Sequence, residues 1–523
     1  MTHPTPAQPA RSRLRLAEIV AALSLATDLG TGHPLERSLR ACLLGVHFGA
    51  ALGLDDRVLR EVYYVALLRW VGCTADSQRA ELFGDEIALG PQIDSVELWN
   101  PAEMLDFLRR TVGQGEPPEQ RQRKLNDVLA TGIQRSQHAA VAHCEVAQNI
   151  AARLSLGEAL LQALGQLFER WDGRGVPGQA KGETLNLAVR IMHIAMDAEL
   201  FYRLGGSEAA AAVVRQRAGG FYDPTLADRF CREAPRLFRL LEGASTWEAV
   251  LTAEPGEQQW LSEAQLDDAL QAIADFTDLR SPARLGHSRG VAELVEAAAR
   301  RLGLSADEVR VARQAGLVHD VGMVALPLLL CEKPGPLTES EWERVRLHPY
   351  YTERILARPR ALAGIGVVAS LHHERLDGSG YHRGLPVTLL PPVARVLAAA
   401  NLYRALIEPR AHRGALAPEA AAAELRREVQ AGRLDGEAVS AVLEAAGHPV
   451  NRARSKQVAG LTDREIEVLR LVARSCTNKQ IAQQLTLSEH TVDHHIRHIY
   501  TKIGVSTRAA ATLFALQNHL VGE

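Results

Sequence analysis

Aromatic residues are scarce in this chain, 5% of 523 residues, and the strand-favouring residues are outnumbered by Ala, Leu, Arg and Glu. That shortage argues against a sheet-built fold and for an all-α one. No stretch approaches the ~20 apolar residues of a membrane span. The opening MTHPTPAQPARSR is polar and proline-rich where a secretory leader would be apolar, so residues 1–15 read as a disordered start, with no membrane role and a cytoplasmic location. The six cysteines (Cys42, Cys73, Cys144, Cys231, Cys331 and Cys476) include no C-x-x-C pair. Their scatter excludes a zinc ribbon and a disulfide framework. A formal net charge of -3 gives no general attraction to nucleic acid, so any such contact must come from a local patch. The length exceeds what one core can fill and suggests about three or four domains.

What the chain does contain is a repeat. LGL at Leu52–Leu54 returns at Leu302–Leu304, an offset of 250 residues, and the same offset lays VALLRWVG, ending at Gly72, on AGLVHDVG, ending at Gly322. Further on, LFERWDGRGVP from Leu167 lies on HHERLDGSGYH from His372, an offset of 205, and EAAAAVVRQRAGGFYD from Glu208 has a counterpart starting at Glu419. Compositional bias explains an EAAAA match. It does not explain two carboxylates and two glycines at fixed spacing. The expected organisation is therefore two helical modules, 16–240 and 260–447, a basic linker at 448–460, and a third segment, 461–523.

In the second module, His287, His319, Asp320, His348, His372 and His373 concentrate nitrogen and oxygen donors without sulfur. Such a set suits iron, manganese or another octahedral-tolerant divalent metal better than structural zinc, and two ions could share a hydroxide that attacks phosphorus. LVHDVG, KPGPLTESEWERVRLHP and HHERLDGSGY resemble the HD-GYP branch of the HD-domain phosphohydrolases, over about residues 280–445. That family is all-helical and includes metal-dependent phosphodiesterases that open cyclic di-GMP. The resemblance implies a metal role for the six residues and for Asn401, with His319 and Asp320 as the catalytic pair, and it places Lys333, Gly378, Gly380, Tyr381 and Arg383 in loops lining the substrate. D-G-S-G is also an ordinary turn recipe. Three positions depart from the family pattern: Met323 stands where lysine is usual, Asn401 where a metal-binding aspartate is usual, and His382 where proline is usual. In the first module the offsets put Arg37, Arg69, Trp70, Leu167 and Phe168 at ligand positions, and only His143 persists, which argues for a degenerate module with no metal cluster.

From Leu461, Thr462 with Glu465 forms a capping box, TNKQIAQQL gives a second helix, and a third runs from Ser488 to Gly504. This segment resembles the LuxR-type helix-turn-helix domain. The resemblance implies a four-helix domain whose third helix enters the major groove, with Lys479, Thr491, Asp493, His494, Arg497, His498 and Lys502 on double-stranded DNA. From Lys456 onward there are eight basic against six acidic residues. So small an excess predicts modest affinity per subunit, and a homodimer formed through 507–520. The main reading is a DNA-binding transcriptional regulator whose second module binds metal and senses a nucleotide, a cyclic dinucleotide or another ligand. The alternatives are an active metal-dependent phosphodiesterase coupled to DNA binding, and a non-catalytic helical scaffold with a DNA-binding tail.

Overall fold

The structure, a computed structural model, describes residues 14–75, 80, 82–94, 96, 101–243, 245–449, 461–518 and 520. The described residues are helical, with isolated β-bridges and no strand. Chain contacts divide the protein into two compact units, Met1–His448 and Pro449–Glu523. Most of the expected disordered start and linker, residues 1–13 and 450–460, lies outside the described residues.

Within the first unit, elements recur at the repeat offset. Helices Arg37–Ala51 and Asp56–Leu68 stand 250 positions before His287–Arg301 and Ala306–Val318, and the 3-10 turn Val71–Ala75 stands before Val321–Ala325. The joints recur as well. Buried Asp278 accepts hydrogen bonds from the backbone N–H and the hydroxyl of Ser288 at 2.9 and 2.8 Å, and buried Asp28 does the same for Ser38 at 3.3 and 2.6 Å. Each pair fastens one helix to the first turn of the next. The residue before that turn is left-handed in both copies, Gly286 at φ +78° and Glu36 at φ +71°. Glycine adopts this conformation freely, whereas glutamate is strained there by roughly 1 kcal/mol or more. The first copy therefore keeps the bend after losing the residue that favours it.

The E-R-x-D-G-x-G loops fold alike. Glu374 accepts from the N–H groups of Arg383 and Leu385 at 3.3 and 3.0 Å, and Glu169 from those of Gln179 and Ala180 at 2.6 and 3.2 Å. A Cβ on Gly380 would lie 2.6 Å from Glu374 Cα, and one on Gly175 would lie 2.4 Å from Glu169 Cα. Both motif glycines are thus required by backbone approach. Asp223 and Asp435 then cap helices Pro224–Arg239 and Gly436–Ala445, and are paired with Arg190 at 2.9 Å and Arg395 at 3.2 Å.

Helices His287–Arg301, Ala306–Val318 and Pro392–Ile407 pack through buried Val291, Val295, Ala312, Ala315, Leu397 and Ala400. Gly316 lets two of them close up, since a Cβ there would lie 2.8 Å from Ala292 Cα.

The second unit has helices Asp463–Ala473, Asn478–Leu485, Glu489–Ile503 and Arg508–Gln517. Thr462 and Glu465 form the expected capping box, Ser488 caps the third helix, and Gly504 ends it at φ +67°. Leu469, Val472, Ile481, Val492, Ile499 and Ala515 lie in its core.

Candidate functional site

The polar residues singled out in the second module converge from five places in the chain. His287 opens helix His287–Arg301, His319 and Asp320 sit at the end of Ala306–Val318, and His348 opens His348–Leu356. His372 and His373 follow Ala363–Ala369, and Asn401 lies inside Pro392–Ile407. Two donor groups result, His348 with His372 and His373, and His287 with His319 and Asp320. Within each group the ligand atoms lie within 4.8 Å of one another.

Asp320 joins the two. Its Oδ1 is 3.3 Å from both His348 Nε2 and His372 Nε2, while Oδ2 is 3.1 Å from His319 Nε2 and 3.7 Å from His287 Nε2. His348 Nε2 and His372 Nε2 are 3.0 Å apart, and His287 Nε2 is 3.1 Å from Asn401 Oδ1. Adjacent donors on an octahedral ion, each about 2.1 Å from it, lie about 3 Å apart, so this spacing fits a metal. The far ring nitrogens are held by carbonyls: His319 Nδ1 by Gly316 at 2.8 Å, His348 Nδ1 by Val345 at 2.6 Å and His372 Nδ1 by Ala369 at 2.7 Å. His287 Nδ1 faces Glu408 at 2.7 Å. Those contacts put the proton on Nδ1 and turn the Nε2 lone pairs inward, the arrangement of a metal-ligating histidine with an outer partner. Buried His319 Nε2 makes no hydrogen bond. The donor set therefore fits a divalent metal centre.

Burial pushes the imidazoles of His287, His319, His348 and His373 well below their ordinary range, and that of His372 down to about 3. Neutral imidazole is the form that binds metal. The sign for stability follows: between the unfolded value near 6.5 and the folded value, the unfolded chain holds more protons, so folding weakens as pH falls. Metal-free protein is expected to lose stability from about pH 6.5 downward, by up to ~1.4 kcal/mol per pH unit for each such histidine. Urea midpoints at pH 7.5 and 5.5 measure this, and equal midpoints would contradict it.

Several residues in the centre carried no sequence signal. Arg284 places Nη2 on Asp320 Oδ2, and Arg410 lies 3.3 Å from His287 Nδ1 and 3.0 Å from Glu408. Arg284 and Asp320, and Arg410 and His287, lie far apart in the chain, and only packing brings them together. Of the loop residues, Tyr381 stacks on His373 with centroids 4.1 Å apart and planes at 16°. Lys333 is engaged by Glu341 at 2.7 Å, and exposed Arg383 pairs with Glu353. Gly378 is left-handed at φ +78°, and Asp377 caps Ser379 within the turn. Met323 is buried.

On the third helix of the second unit, His494, Arg497, His498 and Lys502 are exposed, as is Lys479 on the second, while Thr491 is half-buried. Two of these cations already have partners: Arg497 pairs with Asp493 at 2.8 Å and Lys502 with Glu465 at 2.7 Å.

Residues 271–438 match the HD domain family, and residues 459–515 match the bacterial regulatory proteins of the luxR family. The chain is 30% identical over 413 residues to the 3'3'-cGAMP-specific phosphodiesterase 3 of Vibrio cholerae, covering 78% of this chain and 89% of that protein. The chain belongs to the HD-GYP family. It is also 35% identical over 220 residues to the cyclic di-GMP phosphodiesterase response regulator RpfG of Xanthomonas campestris, covering 42% of this chain and 55% of that one. A crystal structure of a cyclic GMP-AMP specific phosphodiesterase of V. cholerae superimposes with a TM-score of 0.59 at 26% identity, over 84% of this chain and 99% of that one.

The first copy of the repeat carries different side chains at most of the donor positions. Arg69 lies over the rings of Trp70 and Phe168, 4.2 and 4.3 Å from their centroids, and Arg37 is 5.7 Å from Trp70. Cation–π packing thus fills the positions that hold imidazoles in the HD-GYP module. His143, which faces His348 in the repeat, turns Nε2 to the Arg69 carbonyl at 2.7 Å. Asp197, near the position matching Asn401, is bound by Arg217 and Tyr222. Among the described residues of this HD-GYP protein, no helix is long and apolar enough to cross a membrane.

Proposed function

We propose that the protein is a metal-dependent phosphodiesterase for a 3',3'-linked cyclic dinucleotide, joined to a DNA-binding unit that reads a double-stranded operator. The observation that carries this reading is the convergence of His287, His319, His348 and His372 on the buried carboxylate of Asp320, with His373 grouped beside His348 and His372. Support also comes from a relative acting on 3'3'-cGAMP that the chain matches over most of its length. Iron or manganese suits the donors, and when bound it supplies Lewis acidity and an acidified water. The chain's own part is to hold those donors in their inward-facing form and to pair Asp320 with Arg284. Tyr381 stacks on His373 and fixes one wall of the centre. In the reaction one water oxygen bonds to phosphorus, one ribose oxygen leaves with a proton, and a linear dinucleotide results.

The experiment is hydrolysis of 3'3'-cGAMP and cyclic di-GMP by full-length protein reconstituted anaerobically with iron or manganese, followed by chromatography. A linear product is expected from the native chain and none above background from His319→Ala. Absence of product from both substrates with every metal would refute the reading.

The DNA-binding role has its own prediction. Arg497→Ala is expected to weaken operator binding by ~1–3 kcal/mol, measured by fluorescence anisotropy, with the helical circular dichroism unchanged. Unaltered affinity would show that this face does not meet the groove. The proposed homodimer forms through the last helix, where Leu513 and Leu516 are 56% and 55% exposed and stand three apart on one face.

A further inference from the structure

The two halves of the centre are unequal. The half made by His348, His372 and His373 has three imidazoles and Asp320 Oδ1; among the described residues no guanidinium hydrogen-bonds to those three, although the charge of Arg375 bears on His372 and His373. The other half offers His287, His319 and Asp320 Oδ2, with the amide oxygen of Asn401 as its fourth donor. Its one carboxylate oxygen already receives Nη2 of Arg284. Arg284 is not a surface side chain that happens to reach in: it is 15% exposed and ends the turn Pro282–Arg284. That turn is clamped by Arg410, whose Nη1 donates to the Ala283 carbonyl at 2.8 Å. Arg410 also lies 3.3 Å from His287 Nδ1, so a second guanidinium borders this half. Glu408 offsets only part of this charge, being shared by His287, Arg404 and Arg410 at 2.7, 2.8 and 3.0 Å. A dication placed here would compete with Arg284 for one oxygen, and it would find an amide where a carboxylate would lower its energy.

We propose that the protein holds one metal ion, in the His348, His372 and His373 half, and that the guanidinium of Arg284 stands in the place of the second ion's charge. The inference rests on reading the centre as a metal site. It deepens that reading by fixing the number of ions and by giving Arg284 a positioning role on the shared carboxylate. With a single ion, Arg284 stays on Asp320 Oδ2 and leaves Oδ1 directed at the metal half.

The test is elemental analysis of full-length protein prepared anaerobically with excess manganese, then desalted, for the native chain and for His287→Ala, His372→Ala and Arg284→Gln combined with Asn401→Asp. About one ion per chain is expected in the native protein and in His287→Ala, and less than ~0.1 in His372→Ala. About two are expected in the double variant, whose second manganese binds at least ~tenfold tighter than any second ion of the native chain. Manganese paramagnetic resonance should show an isolated ion in the native protein and a coupled pair in the double variant. Two ions in the native chain overturn the inference, as does metal that survives His372→Ala but not His287→Ala. A double variant that keeps native helicity yet holds one ion overturns it as well. Should the double variant not fold, the two histidine variants decide alone. Two ions with hydrolysis would sink this inference and leave the phosphodiesterase standing. One ion without hydrolysis of either cyclic dinucleotide would do the reverse, and no metal at all would sink both.

Discussion

Asp320→Ala is expected to empty the centre: less than ~0.1 ion per chain after desalting and at least ~100-fold lower hydrolysis than the native protein. Among the described residues no other donor serves both halves, because only this carboxylate has one oxygen toward His348 and His372 and the other toward His319 and His287. A second effect is separable. Arg284 would be left buried without its anion, and removing one partner of a buried pair costs about 3 kcal/mol or more. Adding Arg284→Met to Asp320→Ala should therefore recover much of the lost stability in urea without recovering metal. If the single variant keeps its metal, the shared carboxylate is not the keystone of the site.

Gly322→Ala should be nearly as damaging, although glycine contributes no side-chain ligand. A Cβ at this position would lie 2.0 Å from the His348 carbonyl oxygen and 2.6 Å from the Thr352 nitrogen. Gly322 also donates to Thr352 Oγ1 at 3.0 Å, and that hydroxyl donates to the His319 carbonyl at 2.9 Å. Pushing the helix at His348 away from the turn moves two ligand-bearing segments apart. A loss of ~3 kcal/mol or more in unfolding free energy is expected, with weakened metal retention. The matching substitution in the first copy, Gly72→Ala, meets the His143 carbonyl oxygen at 2.5 Å. It should destabilise comparably but leave the metal content of the second copy unchanged. Equal metal loss in both variants would mean that the effect is unfolding rather than displacement of His348.

The parts of this molecule legible in its sequence are those governed by local chemistry or by fixed spacing. Capping at Thr462 and Ser488, the left-handed stop at Gly504 and the helical period need only a few neighbouring residues. The donor set was legible because six ligand-type residues fall at motif positions, and the structure brings them to one place. D-G-S-G was open to a chemical or a turn reading. The Gly380 approach to Glu374 and the Asp377 cap on Ser379 give it a backbone role. Arg284 was illegible, because an arginine 36 positions before its aspartate has no signature until tertiary packing closes the turn. The resemblance puts Lys333 in a substrate-lining loop and Lys502 on DNA, but it does not show that each is held by a glutamate, 8 and 37 positions away, that no local rule selects. Weighing Met323 and Asn401 alone favoured sensing over turnover. The ligand geometry and a 3'3'-cGAMP phosphodiesterase relative support the hydrolytic reading proposed above despite these two residues.

If the luxR-type unit binds DNA as proposed, the tethered cations on its third helix bear on how it samples sequence. Arg497 and Lys502 each begin with an acidic neighbour in hand, so meeting a random phosphate trades one ion pair for another and gains little. Only a site that also satisfies the displaced Asp493 rewards the exchange. Sojourns on unrelated DNA should then be brief, leaving most copies of the protein unengaged until a fitting sequence is met.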